Sequence, residues 1–358
     1  MTPEQDLSMA PAEPSLWYES LLEKDLLPDF VLRAAIRHLV GERLKEQSAG
    51  GLEAQNDRLK RWVEQLKHSP VAIATEAANE QHYEVPAEFY KAVLGPRLKY
   101  SGGYWPEGVE TLAASEDAML ELTANRAGLA DGQDVLELGC GWGSLSLYTA
   151  AQYPNSRITA VSNSRSQKEF IDAEAARRGL PNLQIITANM RDFDIGRTFD
   201  RVVSVEMFEH MRNYQELLRR VSKWMKPDGL LFVHIFTHAR FAYPFETRDS
   251  GDWMAKHFFT GGQMPSDDLL LYFQDDVRLI DHWRVNGTHY QKTSEAWLEK
   301  MDQNRGAVKA LFSRVYGASE ATKWIVRWRV FFMACAELFG YKGGEEWLVS
   351  HYLFKRSQ

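Results

Sequence analysis

Three titratable side chains fall close together in the stretch 205–214, which reads Val-Glu-Met-Phe-Glu-His-Met-Arg-Asn-Tyr: Glu206, Glu209 and His210. Carboxylate and imidazole are the groups that take a proton from a reacting nitrogen, oxygen or water near neutral pH. If a helical turn begins at residue 206, spacings of three and four set all three on one face. Burial together raises a glutamate's pKa, and a neighbouring glutamate favours a protonated His210. The proton's path among the three stays open at this level. Carboxylate and imidazole at helical spacing also suit a metal, but no third ligand motif accompanies them, and no metal is expected. A plainer alternative makes the acids surface charges at a helix start.

The second feature is Glu137-Leu138-Gly139-Cys140-Gly141-Trp142-Gly143. Glycines between a strand and a helix let the backbone pass close under a ligand. A dinucleotide fingerprint requires glycine at the sixth position and an acid about 20 residues further on. Residue 144 is serine, and the second strand ends in Val161, Ser162 and Asn163. The E-x-G-x-G-x-G form instead matches the first motif of Rossmann-like methyltransferases, whose loop runs beneath the methionine and ribose of S-adenosylmethionine. A glycine-rich turn without a ligand is the remaining alternative.

Positioning these groups takes a sheet. Short apolar runs at 134–140, 157–163, 183–189, 199–208 and 229–238 alternate with helical stretches at 144–152, 165–178 and 214–225. That alternation predicts an α/β fold, a doubly wound parallel sheet covered on both faces, with Pro227-Asp228-Gly229 turning into the fifth strand. Glu206 then stands at the carboxyl end of the fourth strand, where open α/β sheets hold their ligands. Residues 277–286 and 347–356 read as two further strands, making seven, with helices over 294–338. Residues 239–276 form a long insertion containing Phe241, Tyr243, Phe245, Trp253, Phe258, Phe259 and Tyr272. Such a segment is either an aromatic lid over a site or a satellite apolar cluster. The domain boundaries expected are 1–80 for a tail and helical extension, a cap or a dimerisation element, and 81–358 for the sheet domain. The extension permits a homodimer without requiring one.

Composition narrows the function classes. Lys and Arg number 42 against 49 Asp and Glu, a net charge of −7; this removes the broad basic footprint of a nucleic-acid binder. Two cysteines, Cys140 and Cys335, are too few for a disulfide framework or a thiolate zinc site. Residues 1–15 lack the layout of a secretory signal. No run approaches the ~18 uninterrupted apolar residues of a membrane span. The expectation is a cytoplasmic protein without stable membrane insertion.

Further segments carry a specific resemblance: Tyr100-Ser101-Gly102-Gly103-Tyr104-Trp105, the glycine loop, residues 205–214, Leu-Leu-Leu-Tyr-Phe-Gln-Asp-Asp at 269–276, and 337–354. From about His82 onward the chain resembles the cyclopropane-fatty-acid synthase family, most nearly its amine-methylating branch typified by coclaurine N-methyltransferase. The resemblance implies S-adenosylmethionine as methyl donor, S-adenosylhomocysteine as product and a small, tetrahydroisoquinoline-like amine as acceptor. It implies that Tyr100 and Ser101 contact the cofactor, alongside Glu137, Gly139 and Gly141 of the loop. It puts Ser162, Asn163 and Gln167 where other methyltransferases carry an acid, and Asn189 and Met190 beside adenine.

The same resemblance separates two chemistries. Cyclopropane synthases hold bicarbonate as a base, using a cysteine, glutamate, histidine, isoleucine and tyrosine. Glu209, His234 and Tyr290 match three of these; Gly102 and Phe236 stand at the cysteine and isoleucine positions. Those synthases carry glycine where this chain has Glu206, a carboxylate that can receive an ammonium and its proton in bicarbonate's place. Gly102 departs from the amine branch as well, which usually has cysteine. Tyr83, Trp328, Phe331 and the insertion's aromatics complete the expected substrate pocket, suited to a flat or cationic amine, although Trp328 and Phe331 also read as helix core. The rival function is methyl transfer to the double bond of an unsaturated phospholipid.

Overall fold

Strands that bury both faces read as continuous apolar runs, and residues 135–138 and 158–162 are buried without interruption. In the computed structural model, which describes residues 21–73, 85–245, 258 and 261–357, they are neighbours inside a seven-stranded sheet. The strands are β1 (Asp134–Leu138), β2 (Arg157–Ser162), β3 (Leu183–Thr187), β4 (Phe199–Val205), β5 (Met225–His238), β8 (Val277–Val285) and β9 (Trp347–Arg356). A two-stranded ribbon, β6 (Tyr243–Pro244) and β7 (Gln263–Met264), stands apart.

Spatial order in the sheet is β3-β2-β1-β4-β5-β9-β8. The first five positions pair in parallel, as the alternation predicts. The last strand in the chain then inserts antiparallel between β5 and β8, making the sheet mixed. Pro227-Asp228-Gly229 does not precede the fifth strand. It lies inside β5 at a register break, where Phe199 pairs with Met225 but Arg201 pairs with Leu230. A side chain at Gly229 would meet the Phe199 carbonyl oxygen at 2.9 Å, so the bulge closes only around glycine.

Among the helices, α1 (Asp29–Ser48) and α2 (Gly51–His68) precede α3 (Ala87–Val93) and α4 (Leu112–Ala127). Then α5 (Ser144–Gln152), α6 (Arg165–Arg178) and α7 (Tyr214–Trp224) are the crossovers, and α8 (Thr288–Gln303), α9 (Arg305–Tyr316) and α10 (Ala321–Gly340) follow β8. Helix α1 is fixed through Arg33 to Glu295 at 2.6 Å and Glu337 at 2.9 Å. Helix α2 is tied to the ribbon by Trp62, whose Nε1 donates to Gln263 at 2.9 Å. No helix among the described residues is long and apolar enough to cross a membrane.

Of the insertion's aromatics, Phe241, Tyr243 and Phe258 are buried in one cluster with Trp328 and Phe331, while Tyr272 is 41% exposed. Trp253, Phe259 and Tyr83 lie outside the described residues. Trp328 belongs wholly to the core. Its ring packs on Phe89 at 4.6 Å and Phe312 shares that cluster, so it stands one layer behind the cavity described next rather than lining it.

Candidate active site

One cavity opens at the carboxyl ends of β1, β2 and β4 and collects most of the candidate residues. Tyr100, Ser101, Glu137, Gly139, Gly141, Ser162, Asn163, Gln167, Asn189 and Met190 line one end. Glu206, Glu209, His210, Phe236, Tyr290 and Phe331 line the other. His234 stays behind the wall and touches it only through Glu206. Phe331 is backed by Phe258 of the insertion, stacked at 4.3 Å.

The glycine end is built from left-handed backbone. Gly139 has φ +79°, and a β-carbon there would press to 2.7 Å from Met207 Cγ. Gly141 has φ +51° but open space where a side chain would go, so that space belongs to the cavity. Glu137 accepts a hydrogen bond from Ser146, and burial pushes its carboxyl up to about 7. Ser162 Oγ donates to Gln167 Oε1 at 2.7 Å, which leaves Gln167 Nε2 buried without a partner. An unused amide donor, a buried acid and a bare backbone turn suit a ligand rich in hydroxyl and amino groups, as the nucleoside and amino-acid parts of S-adenosylmethionine are.

The other end is organised by Glu206. No helix begins there, contrary to the one-face expectation: Glu206 itself takes φ +48°, its N–H donates to the His234 carbonyl at 2.8 Å, and a short 3-10 turn, Phe208–His210, follows. A glutamate has no local reason to adopt left-handed backbone, so strain of about 1–3 kcal/mol is held by the surroundings. The bend swings the carboxylate to two donors and an imidazole nitrogen. Tyr290 Oη reaches Oε2 at 2.7 Å, the Gly102 N–H reaches Oε1 at 3.2 Å, and His234 Nε2 lies 3.3 Å from Oε1. Burial still raises the Glu206 pKa above the ordinary carboxylate value, against the pull of Lys99 and these hydrogen bonds.

Glu209 follows what the sequence suggests, and His210 departs from it. The Glu209 carboxyl is raised well above its usual range by burial and by the charge of Glu206, and its Oε2 has no partner. Burial takes His210 down to about 4, outweighing the upward pull of Glu206. His210 is therefore a neutral imidazole at physiological pH, where the sequence favours an imidazolium; desolvation outweighs the charge of its neighbour.

Among the lining residues outside the candidates, Lys99 stands out. Lys99 is buried, donates to Ser101 Oγ and to the Gly102 carbonyl at 2.9 Å, and is taken down to about 8 by burial despite Glu206 and Glu116. It pins the Tyr100–Gly102 turn from beneath. Its position immediately before the Tyr-Ser pair was the available signal, but a lysine in a turn ordinarily reads as solvated. Trp142, Met207 and Trp297 also line the cavity and were not among the candidates.

A glycine loop between β1 and α5 beneath a cavity at the sheet's carboxyl edge, together with the likenesses given next, makes the chain an S-adenosylmethionine-dependent methyltransferase of the Rossmann-like α/β class. The chain belongs to the family described as mycolic acid cyclopropane synthetase, whose model matches residues 72–345. Its relatives include the (S)-coclaurine N-methyltransferase of Thalictrum flavum subsp. glaucum, 43% identical over 339 residues that cover 94% of each chain. The (S)-coclaurine N-methyltransferase of Papaver somniferum is 39% identical over 338 residues, covering 94% of this chain and 96% of that one. Among solved structures, a coclaurine N-methyltransferase bound to N-methylheliamine and S-adenosylhomocysteine superposes with a TM-score of 0.92. It is 40% identical, and the match covers 94% of this chain and 98% of that one.

Proposed function

We propose that the protein methylates the nitrogen of a small aromatic or heterocyclic amine of the tetrahydroisoquinoline kind. The observation that carries this reading is Glu206: a strained glutamate at a strand end, aimed into the cavity beside Tyr290 and Phe331, with its carboxylate held by Tyr290, the Gly102 N–H and the ring of His234. An amine arrives as an ammonium, and this carboxylate binds it by a charge-assisted hydrogen bond. The relatives named for (S)-coclaurine support the choice of amine.

Bound S-adenosylmethionine supplies an electrophilic methyl on a sulfonium. Glu137, Gln167, Ser162 and Asn163 would hold its polar parts, and Asn189, Met190, Tyr100 and Ser101 would complete its enclosure. Glu206 orients the amine, and Tyr290 and Phe331 give it an aromatic wall that excludes water. The nitrogen's proton passes to Glu206, whose affinity for a proton burial has raised, or to the neutral imidazole of His210. Burial and the charge of Glu206 hold the Glu209 carboxyl well above its usual range, which favours its protonated form.

The test is S-adenosylhomocysteine release by the purified protein on tetrahydroisoquinolines, arylalkylamines and unsaturated phospholipid vesicles, each with and without bicarbonate. Turnover of an amine, indifferent to bicarbonate, is expected. Turnover confined to vesicles and dependent on bicarbonate would make the protein a lipid enzyme and overturn the reading.

A further inference from the structure

A chain of four side chains runs from Glu206 across β5 and β9 to helix α4. His234 Nε2 faces Glu206 Oε1 at 3.3 Å, His351 Nε2 faces His234 Nδ1 at 2.8 Å, and Arg126 Nη1 faces His351 Nδ1 at 2.8 Å. Register builds it: Val205 pairs with His234, His234 with His351, and His351 with Trp283 across β4, β5, β9 and β8. Arg126, near the end of α4, closes the row with its guanidinium 5.0 Å from the Trp283 ring. Both histidines are at most 1% exposed.

Donor and acceptor roles along this row follow from its last member. Guanidinium nitrogens only donate, so His351 Nδ1 must accept and its proton sits on Nε2. That proton is donated to His234 Nδ1, which places the His234 proton on Nε2, pointing at Glu206. Every hydrogen bond in the row therefore runs inward. Read this way it is no proton exit, because neither imidazole offers a lone pair toward Glu206.

We propose that Arg126 is a positioning residue that sets the tautomers of His351 and His234 so that Glu206 receives an N–H rather than a lone pair. This rests on Glu206 as the amine-binding carboxylate. A reversed His234 would turn a lone pair on the carboxylate, favour its protonated form and weaken its hold on an ammonium. Both histidines stay uncharged, held well below the usual imidazole range by burial and by the positive charges of Lys99 and Arg126. The other groups facing Glu206 are Lys99 and Gly102 from the turn before α4, Tyr290 from α8, Cys335 from α10, and Glu209 and His210 from the turn after β4. His282 is a further titratable neighbour of His351.

The tautomers can be read without substrate, by long-range proton–nitrogen correlation on protein labelled at histidine. Native His234 and His351 should both carry the proton on Nε2, unchanged between about pH 6 and pH 8. In Arg126→Met, His234 should shift partly or wholly to Nδ1–H. The KM for the amine should then rise about tenfold, the loss expected for one hydrogen bond to a charged group, and the acid limb of kcat/KM should move to higher pH. Affinity for S-adenosylhomocysteine should not change. Arg126→Lys and His351→Gln keep a donor–acceptor path and should retain both tautomer and KM, whereas His351→Leu should lose them. This last pair decides the matter if Arg126→Met does not fold. A native His234 protonated on Nδ1, or Arg126→Met with native tautomers and native KM, would overturn the proposal. If the tautomers are as stated but no amine is turned over, the amine reading fails and the tautomer relay stands.

Discussion

Tyr290 and Glu206 are joined across the cavity, Oη to Oε2 at 2.7 Å, so that helix α8 fixes a carboxylate belonging to the end of β4. The tyrosine ring cannot follow a displaced glutamate, because it is stacked on Phe339 at 4.3 Å. The pair is thus a rigid clamp rather than a chance contact.

Removing each partner should have separable effects. Glu206→Gln keeps the shape but loses the charge, and should lower kcat/KM for an amine by about a hundredfold or more, since a charge-assisted bond to the ammonium is lost. Tyr290→Phe removes one orienting donor and should cost about tenfold. Neither should alter S-adenosylhomocysteine affinity measured by calorimetry. Native turnover in Glu206→Gln would remove this carboxylate from the reaction.

The two glycines of the loop should fail in different ways. At Gly139 a methyl group collides with Met207 at 2.7 Å on left-handed backbone, so Gly139→Ala should lower both the melting temperature and cofactor affinity. At Gly141 the added methyl points into open cavity space, so Gly141→Ala should displace the cofactor with less effect on melting. Calorimetry beside thermal melts checks this, and equal melting losses in the two variants would show that the cavity does not extend over Gly141.

What the sequence made legible, and what it did not, divides along the range of the interactions. The strands β1 to β4 and their helices follow from local apolar periodicity, and the glycine loop from backbone chemistry confined to seven residues. Long-range pairing is invisible to such patterns. That is why the antiparallel insertion of β9 could not be read, nor the meeting of His351 with His234, residues 117 apart in the chain. The raised proton affinity of Glu206 follows from burial beside Glu209, as the sequence suggests, yet the bend at Glu206 and the state of His210 were not legible. The left-handed bend at Glu206 is imposed by Tyr290, Gly102 and His234, and the neutrality of His210 by burial, neither of which spacing encodes. Lys99 was missed for the same reason, since only tertiary structure shows that this turn lysine is buried.

The free amide of Gln167 gives a third expectation. Its Oε1 is occupied by Ser162, while its Nε2 is buried and unpartnered. If that donor meets a ribose hydroxyl of the cofactor, Gln167→Leu should weaken S-adenosylhomocysteine binding about tenfold. A cofactor analogue lacking the hydroxyl should bind both proteins alike. Undiminished binding of the natural cofactor by the variant would assign the amide a packing role only.

Two buried groups at opposite ends of the cavity should couple stability to pH with opposite signs. His210 is held at about 4 in the folded protein, against 6.5 for the free side chain. Between those values the unfolded chain binds a proton that the folded one refuses, so this contribution is full above pH 6.5 and is lost as pH falls toward 4. Glu137 is held at about 7, against 4.5 for the free side chain. There the folded protein binds the extra proton, so its contribution grows as pH falls from 7 toward 4.5 and is absent above. Each shift corresponds to at most about 3 kcal/mol across its window. The comparison that isolates them is the difference in unfolding free energy between the native protein and each variant, followed from pH 8 to pH 4 without cofactor, because other titrating groups cancel. Relative to His210→Asn the native protein should lose stability on acidification, and relative to Glu137→Gln it should gain. A His210 difference that stays flat with pH would mean that burial does not lower the proton affinity of its ring.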